Sequence, residues 1–137
     1  MKIRFDFVTN SSSTSFVVIC KGPLEKAVFL AAMGATKNSP LKPFLEELYG
    51  VLRMKVTNAQ DAISGGYWGR EKDIVTLVRK ELSDITAKRA EEAIRKGKDV
   101  WIGKLDSDGG TVEAFFCCES FEIDHPRLYI NALRCAW

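Results

Sequence analysis

A short polar segment near the amino terminus carries the residues best suited to binding chemistry. Seven polar residues, 9–15, separate two apolar stretches, and the candidate hydrogen-bond donors among them are Asn10, Ser11, Ser12 and Ser13. Small hydroxyl and amide side chains leave backbone N–H groups accessible, as in sites that bind phosphate or carboxylate. The segment has no glycine, no lysine and no Walker spacing, which argues against a nucleotide P-loop. The same residue types favour ordinary turns, so a turn is the alternative interpretation.

A glycine-rich loop at residues 64–69 provides a second candidate site. Tyr67 and Trp68 are rigid, amphipathic side chains of the kind that dominate protein–protein interfaces. Arg70 adds a charged group, either to that interface or to an anion held by the serine-rich segment. The alternative is that both aromatic side chains fold back on the core as a lid, because aromatic residues are largely buried on average.

The cysteines and the single histidine give little support for catalysis or metal binding. The cysteines are Cys20, Cys117, Cys118 and Cys135, and none has the C-x2-C spacing of a structural zinc site. One of the last three could act as a nucleophile with His125, but no third, orienting group is evident. We therefore expect free and mostly buried thiols, no metal and no cofactor, and a cysteine-dependent enzyme is only a further alternative.

The segment Asp106-Ser107-Asp108-Gly109-Gly110 resembles the start of a calcium-binding loop, but the later ligands are missing. An Asp-Gly pair between apolar runs is a strong signal for a hairpin turn. We predict a β-hairpin that joins strands at residues 100–105 and 111–118. Cys117 and Cys118 would then point to opposite faces of a strand.

Apolar periodicity predicts strands at both ends of the chain and helices between them. Ile3, Phe5 and Phe7 alternate with charged residues, as in a half-buried strand. The unbroken apolar run 16–20 predicts a central strand covered on both faces, and the polar loop before it could join it to the first strand as a hairpin. Further strands are predicted at 121–123 and, after a break at 124–126, at 128–135.

Five helical segments are predicted from apolar residues three and four positions apart. They cover residues 24–31, 41–52, 57–63, 74–85 with a break near 83–86, and 90–94. Pro23 is expected in the first helical position, Gly34 and Gly97 as C-terminal caps, and Thr57 with Gln60 as a capping box. The predicted fold is a single α+β domain, residues 1–137. Its mixed or antiparallel sheet comes from the terminal strands, and the four or five inserted helices pack on one face.

The composition limits the class of protein. Hydrophobic residues make up 46% and charged residues 28% of the chain, which is typical of a globular domain. The net charge of +2 is too small to predict a nucleic acid or an anionic membrane as partner. No apolar run approaches the ~18 residues needed to span a bilayer, and no signal peptide is evident. We expect a cytoplasmic protein.

Residues 7–16, Phe-Val-Thr-Asn-Ser-Ser-Ser-Thr-Ser-Phe, resemble a segment found near the start of assorted bacterial and phage-borne proteins without assigned activity. Thr14 stands where the serine run of those proteins is usually unbroken. The resemblance implies a phage or mobile-element origin, and many small phage proteins bind a host protein or sequester a signalling nucleotide. We therefore expect a non-catalytic protein that binds a partner protein, or alternatively an anionic small molecule such as a nucleotide.

Overall fold

A computed structural model describes residues 6–7, 13–66 and 71–132 of the chain. The strands are β1 (Asp6–Phe7), β2 (Ser13–Cys20), β3 (Thr57–Asn58), β4 (Asp99–Asp106), β5 (Glu119–Ser120), β6 (Glu122–His125) and β7 (Leu128–Asn131). The helices are α1 (Lys26–Ala32), α2 (Lys42–Lys55), α3 (Ala59–Ser64), α4 (Ile74–Glu81), α5 (Asp84–Arg95) and α6 (Thr111–Cys118). Among these residues, no helix is both long enough and apolar enough to cross a membrane. The predicted α+β single-domain fold is confirmed.

The sheet has five strands in the order β3-β4-β2-β7-β6, and every neighbouring pair is antiparallel. β2 lies at the centre, as its unbroken apolar run predicts. It pairs with β4 over eight residues, from Ser13↔Asp106 to Cys20↔Asp99. On its other side it pairs with β7, up to Cys20↔Leu128.

Helices cover both faces of this sheet, so the expectation that they pack on one face is wrong. Phe16, Val18 and Cys20 of β2 share a core with α1, α2 and α6. Val17 and Ile19 point to the opposite face and share a second core with α3, α4 and α5. The reason lies in β2 itself, because side chains alternate between faces along a strand and both of its faces are apolar.

The loop predicted at residues 9–15 is shorter than expected, because β2 begins within it. Ser13, Thr14 and Ser15 already belong to β2, and they pair with the last three residues of β4. Thr14 is buried, and its hydroxyl group donates a hydrogen bond to the carbonyl of Cys117 at 2.8 Å. The possible hairpin between the first two strands is not formed, because β1 pairs with β5 in a separate two-stranded sheet.

Two predicted helix starts are wrong, and the predicted C-terminal glycines are confirmed. α1 begins at Lys26, so Pro23 is not its first residue. At the start of α3, Asn58 accepts a hydrogen bond from the N–H of Gln60, so Asn58 is the cap instead of Thr57. Gly34 and Gly97 follow α1 and α5 with positive φ angles of 72° and 79°, in the left-handed conformation that glycine adopts without strain.

The predicted hairpin at residues 100–118 is wrong, because residues 111–118 form the helix α6. Two contacts fix its start. The Ala114 N–H donates to the carbonyl of Gly110 at 2.9 Å, and the Asp106 N–H donates to the Glu113 carboxylate at 2.9 Å. A buried helical face then follows from the spacing of Val112, Glu113, Phe116 and Cys117.

A hairpin does form at the C-terminal end of the described chain. β6 ends at His125 and β7 begins at Leu128, and these two residues are paired. Only Pro126 and Arg127 separate them. The predicted break at residues 124–126 is therefore wrong, because this segment is part of the hairpin. The described part of the last strand ends at Asn131 rather than at residue 135.

Candidate functional site

Most residues of the two predicted binding sites lie outside the described part of the chain. These are Asn10, Ser11 and Ser12 of the serine-rich segment, and Tyr67, Trp68 and Arg70 of the glycine-rich loop. Both predicted sites therefore stay predictions. Ser13 is the one candidate residue that the structure describes, and it lies at the start of β2.

Ser13 lines a shallow cavity of about 480 Å³ together with Lys55, Asp106, Asp108 and Gly109. The Lys55 Nζ atom lies 3.3 Å from Asp106 Oδ2 and 3.2 Å from Glu113 Oε1. Hydrogen bonds to Glu113 and then to Asp106 raise the pKa of Lys55 above its usual value. Because carboxylates outnumber cations here, the described charges around Ser13 do not favour an anionic ligand.

The same carboxylate cluster has an evident structural role. The buried Glu113 of α6 contacts the end of α2 through Lys55 and the end of β4 through the Asp106 N–H. Gly109 packs so closely against Glu113 that an added Cβ would overlap the Glu113 carboxylate. Lys55 is also the last residue of α2, where a positive charge favours the helix dipole. The cluster thus joins three elements at this edge of the fold.

The described cysteines are not arranged as nucleophiles. Cys20 and Cys117 are buried, as expected. Burial, followed by the charges of Asp99 and Glu25, raises the pKa of Cys20 to about 11, so its thiol is neutral near pH 7. Cys118 and Cys135 have no described side chain.

The proposed pairing of Cys117 with His125 is not formed. Cys117 contacts Thr14 near the start of β2. His125 is opposite Leu128, which is opposite Cys20 at the other end of β2. Thr14 and Cys20 are six residues apart, and at ~3.3 Å per residue this separates the two groups by roughly 20 Å. Among the residues that the structure describes, no group of three or more His, Cys, Asp or Glu side chains is placed to hold a metal ion.

A cluster of apolar side chains on the surface of α2 and α6 is the most prominent candidate for binding. We call Leu41, Phe44 and Phe115 the aromatic surface. Their exposed fractions are 63%, 36% and 49%, unusually large for apolar residues that lie side by side. Leu41 is the N-cap residue of α2, three residues before Phe44, and the Phe44 and Phe115 rings meet edge to face with centroids 6.2 Å apart.

Two buried rings hold the aromatic surface in place. Phe116 contacts Phe44 at 5.7 Å and Phe115 at 5.2 Å between ring centroids. Phe116 in turn packs edge to face on Phe121, at 5.1 Å, and both are buried in the core. Tilted and edge-to-face contacts of this kind are the favourable arrangements of aromatic pairs. The exposed rings are therefore ordered before any partner binds.

The aromatic surface was not among the predicted sites, and the reason differs for its two halves. Phe44 belongs to the apolar spacing of α2, which predicts the buried face of a helix without showing where that face ends. Phe115 was placed on a strand of the incorrect hairpin. The available signal was the unusual run Phe115-Phe116-Cys117-Cys118, which exposes at least one large side chain whichever way a helix turns.

Comparison with known proteins adds no further constraint. The chain matches no protein-family model, no curated protein and no solved structure.

Proposed function

We propose that this chain is a non-catalytic interaction protein whose aromatic surface binds a partner protein. The observation that carries the proposal is the pair of exposed rings, Phe44 and Phe115, supported from below by Phe116. Aromatic side chains dominate the energetics of protein interfaces. Rings that are already ordered also lose little conformational entropy on binding, which favours affinity.

The size of the surface favours a short apolar segment of a partner over a stable dimer of this chain. A phenylalanine buries about 150–250 Å² when covered, so the two rings and Leu41 leave roughly 250 Å² of apolar area open. Each side of a standard protein interface buries about 800 Å². The aromatic surface is therefore large enough for the centre of an interface, and a few apolar side chains of a partner would cover it.

The neighbouring charges favour a protein over a membrane as the occupant. Glu46 lies 3.9 Å from Lys42 and 3.6 Å from Lys26, so these two lysines share one carboxylate. Anionic lipid is bound by clusters of about four to eight lysine and arginine residues, which these ion-paired lysines do not form. With the N-terminal resemblance to phage-borne proteins, we further propose a cytoplasmic location and a host protein as the partner.

The test compares variants of the aromatic surface with a matched variant elsewhere on α2. Leu41→Ser and Phe115→Ser each remove an exposed apolar side chain, and Met54→Ser does the same at a residue that is 77% exposed and outside the surface. Each protein is used to capture partners from lysate, followed by quantitative mass spectrometry. We expect one stoichiometric partner that Met54→Ser retains and that both other variants lose. Circular dichroism confirms that all variants fold.

Two outcomes would count against the proposal. The first is a partner that binds Phe115→Ser and Met54→Ser equally well. The second is a wild-type dimer in light scattering that Phe115→Ser converts to a monomer, because the aromatic surface would then serve self-association.

A further inference from the structure

Three cations meet at one end of the central sheet because of the strand register. β2 ends at Cys20, which is opposite Asp99 of β4 and Leu128 of β7. Continuing the register by one residue places Lys21 between Lys98 on one side and Arg127 on the other. Neighbouring strands are about 4.8 Å apart, so three positive side chains start within roughly 10 Å of one another.

These cations lack the carboxylate partners that nearby cations have. Lys96 pairs with Glu92 at 3.0 Å, and Arg89 pairs with Asp124 at 2.7 Å. Within the described part of the chain, no carboxylate lies within ion-pair distance of Lys21, Lys98 or Arg127. Lys21, Lys98 and Arg127 each lie one residue beyond a strand end, and like charges held close together repel one another, so an anion among them would be favourable.

The three cations line one cavity of about 420 Å³. Its other charged residue is Glu25, and its apolar wall consists of Pro23, Leu24, Val28 and Pro126. A volume of 300–1,000 Å³ with apolar walls and a few polar groups is typical of small-molecule sites. A second cavity of about 400 Å³ adjoins it and shares Lys98 and Pro126, which leaves room for a ligand to extend.

The rim of the cavity is rigid. Gly22, with φ at 74°, turns the chain after Lys21, and its N–H donates to Asp99 Oδ2 at 2.9 Å. The Gly22 carbonyl accepts hydrogen bonds from Trp101 Nε1 at 3.1 Å and from Cys20 Sγ at 3.3 Å. This turn is therefore held from both sides, and Lys21 has a fixed backbone position next to Lys98.

We propose that this cavity binds a small organic phosphate monoester. Its dianionic phosphate would lie among Lys21, Lys98 and Arg127, and its apolar or ring portion against Leu24, Val28 and the neighbouring prolines. The lining has three cations and one carboxylate, Glu25, and the nearby Asp99 carboxylate already accepts the Gly22 N–H, so the cavity favours an anionic group. The site is separate from the aromatic surface, and it also differs from the serine-rich segment predicted from the sequence.

The probe is phenyl phosphate, which joins a dianionic phosphate to an apolar ring, and the controls are phenol and inorganic phosphate. Binding is followed by ¹H–¹⁵N NMR titration at fixed ionic strength. We expect saturable shifts at the amides of Lys21, Gly22, Lys98 and Arg127, with phenyl phosphate binding more tightly than either control. Higher salt should weaken the binding, since part of it is ionic.

Charge variants identify the cations that bind. Lys98→Gln should weaken phenyl phosphate binding about tenfold, the effect expected for one hydrogen bond to a charged group. Lys88→Gln makes the same charge change on the exposed face of α5 and should leave the affinity within about twofold, as expected for a distant surface charge. Glu25→Gln should strengthen binding, because it removes the opposing charge from the cavity. If Lys98→Gln fails to fold, Lys21→Gln, at an exposed position, replaces it.

Four results would overturn the proposal. Phenol binding as tightly as phenyl phosphate would show that the cations are not used, and inorganic phosphate binding as tightly would show that the apolar wall is not used. Equal losses of affinity in Lys98→Gln and Lys88→Gln would show that only the net charge matters. NMR shifts at the cavity amides that do not saturate with phenyl phosphate would also overturn the proposal, because they would show no specific binding there.

Discussion

Replacing Gly103 with alanine should destabilise the protein, because the added methyl group has no space between β2 and the end of α2. An ideal Cβ at this position would lie 2.6 Å from Phe16 Cζ and 2.8 Å from the carbonyl oxygen of Lys55. Phe16 is opposite Gly103 on β2 and is fully buried, so its ring covers the glycine. Contacts below 3.0 Å to both a buried ring and a backbone atom cannot be relieved by a side-chain rotation alone.

The expected loss is about 2–3 kcal/mol in the free energy of unfolding. Inserting a methyl group into a packed core costs about 1–3 kcal/mol, and the backbone contact places Gly103→Ala at or above the upper end. Alanine also lowers the conformational entropy of the unfolded chain, which offsets about 0.4–1 kcal/mol of this loss. Gly50→Ala is the matched control, because nothing lies within 4 Å of its Cβ position in the exposed middle of α2. It should stabilise the protein by about 0.5–1 kcal/mol.

Urea denaturation followed by circular dichroism measures both variants. The two glycine-to-alanine changes should shift the midpoint in opposite directions. A second substitution, Phe16→Leu, removes the ring atoms nearest to the new methyl group, so it should cost less in the Gly103→Ala background than in wild type. A loss below about 0.5 kcal/mol for Gly103→Ala would refute the reasoning, since surface substitutions have effects of that size.

Two further predictions concern buried titratable groups. Burial raises the pKa of Tyr129 to about 12, so its phenol stays neutral in the native protein where the unfolded chain already ionises. The stabilisation from this group should be complete below pH 10 and be lost as the pH rises toward 12. The difference between the absorbance titrations of the wild type and Tyr129→Phe should have its midpoint near pH 12. A midpoint near pH 10 would contradict the prediction. Burial likewise raises the pKa of Cys20 to about 11, so iodoacetamide at pH 8 should label Cys20 about a hundredfold more slowly in the native protein than in urea. Peptide mass spectrometry measures both rates, and equal rates would contradict that prediction.

The sequence predicted the elements whose apolar residues repeat over a long enough range. The run 16–20 predicted a central strand because a strand with two apolar faces must be covered twice, and β2 is that strand. The same observation implied helices on both faces, which the expectation of one helical layer overlooked. α2 followed from Leu45, Leu48 and Leu52, whose spacing matches a helix over two turns.

α6 could not be assigned from periodicity alone. Seven of its eight residues are apolar or small, and a short apolar run fits a buried strand as well as a helix. The Asp-Gly pair before it then favoured a hairpin. Tertiary contacts favour the helix. The buried Glu113 carboxylate accepts a hydrogen bond from the Asp106 N–H and lies beside Lys55, which is 58 residues earlier in the chain.

The two surfaces proposed to bind ligands were hidden for the same physical reason. The aromatic surface needs α2 and α6 to be neighbours, and the cavity needs Lys21, Lys98 and Arg127 to follow the register of three strands. Each of these cations is unremarkable where it stands in the sequence. Their convergence is a property of strand pairing, and pairing between distant segments is the part of a fold that local patterns specify least.

Both surfaces are places where the fold keeps an arrangement that packing alone does not favour. Phe115 exposes half of its surface to water although it lies next to a core that buries Phe116 and Phe121. Lys21 lies between two other cations although Glu92 and Asp124 show that the same end of the protein forms ion pairs elsewhere. When the local rules are satisfied through most of a domain, departures from them are expected at functional positions. The departures here differ in kind, one apolar and one ionic, so the two proposed sites call for chemically different ligands.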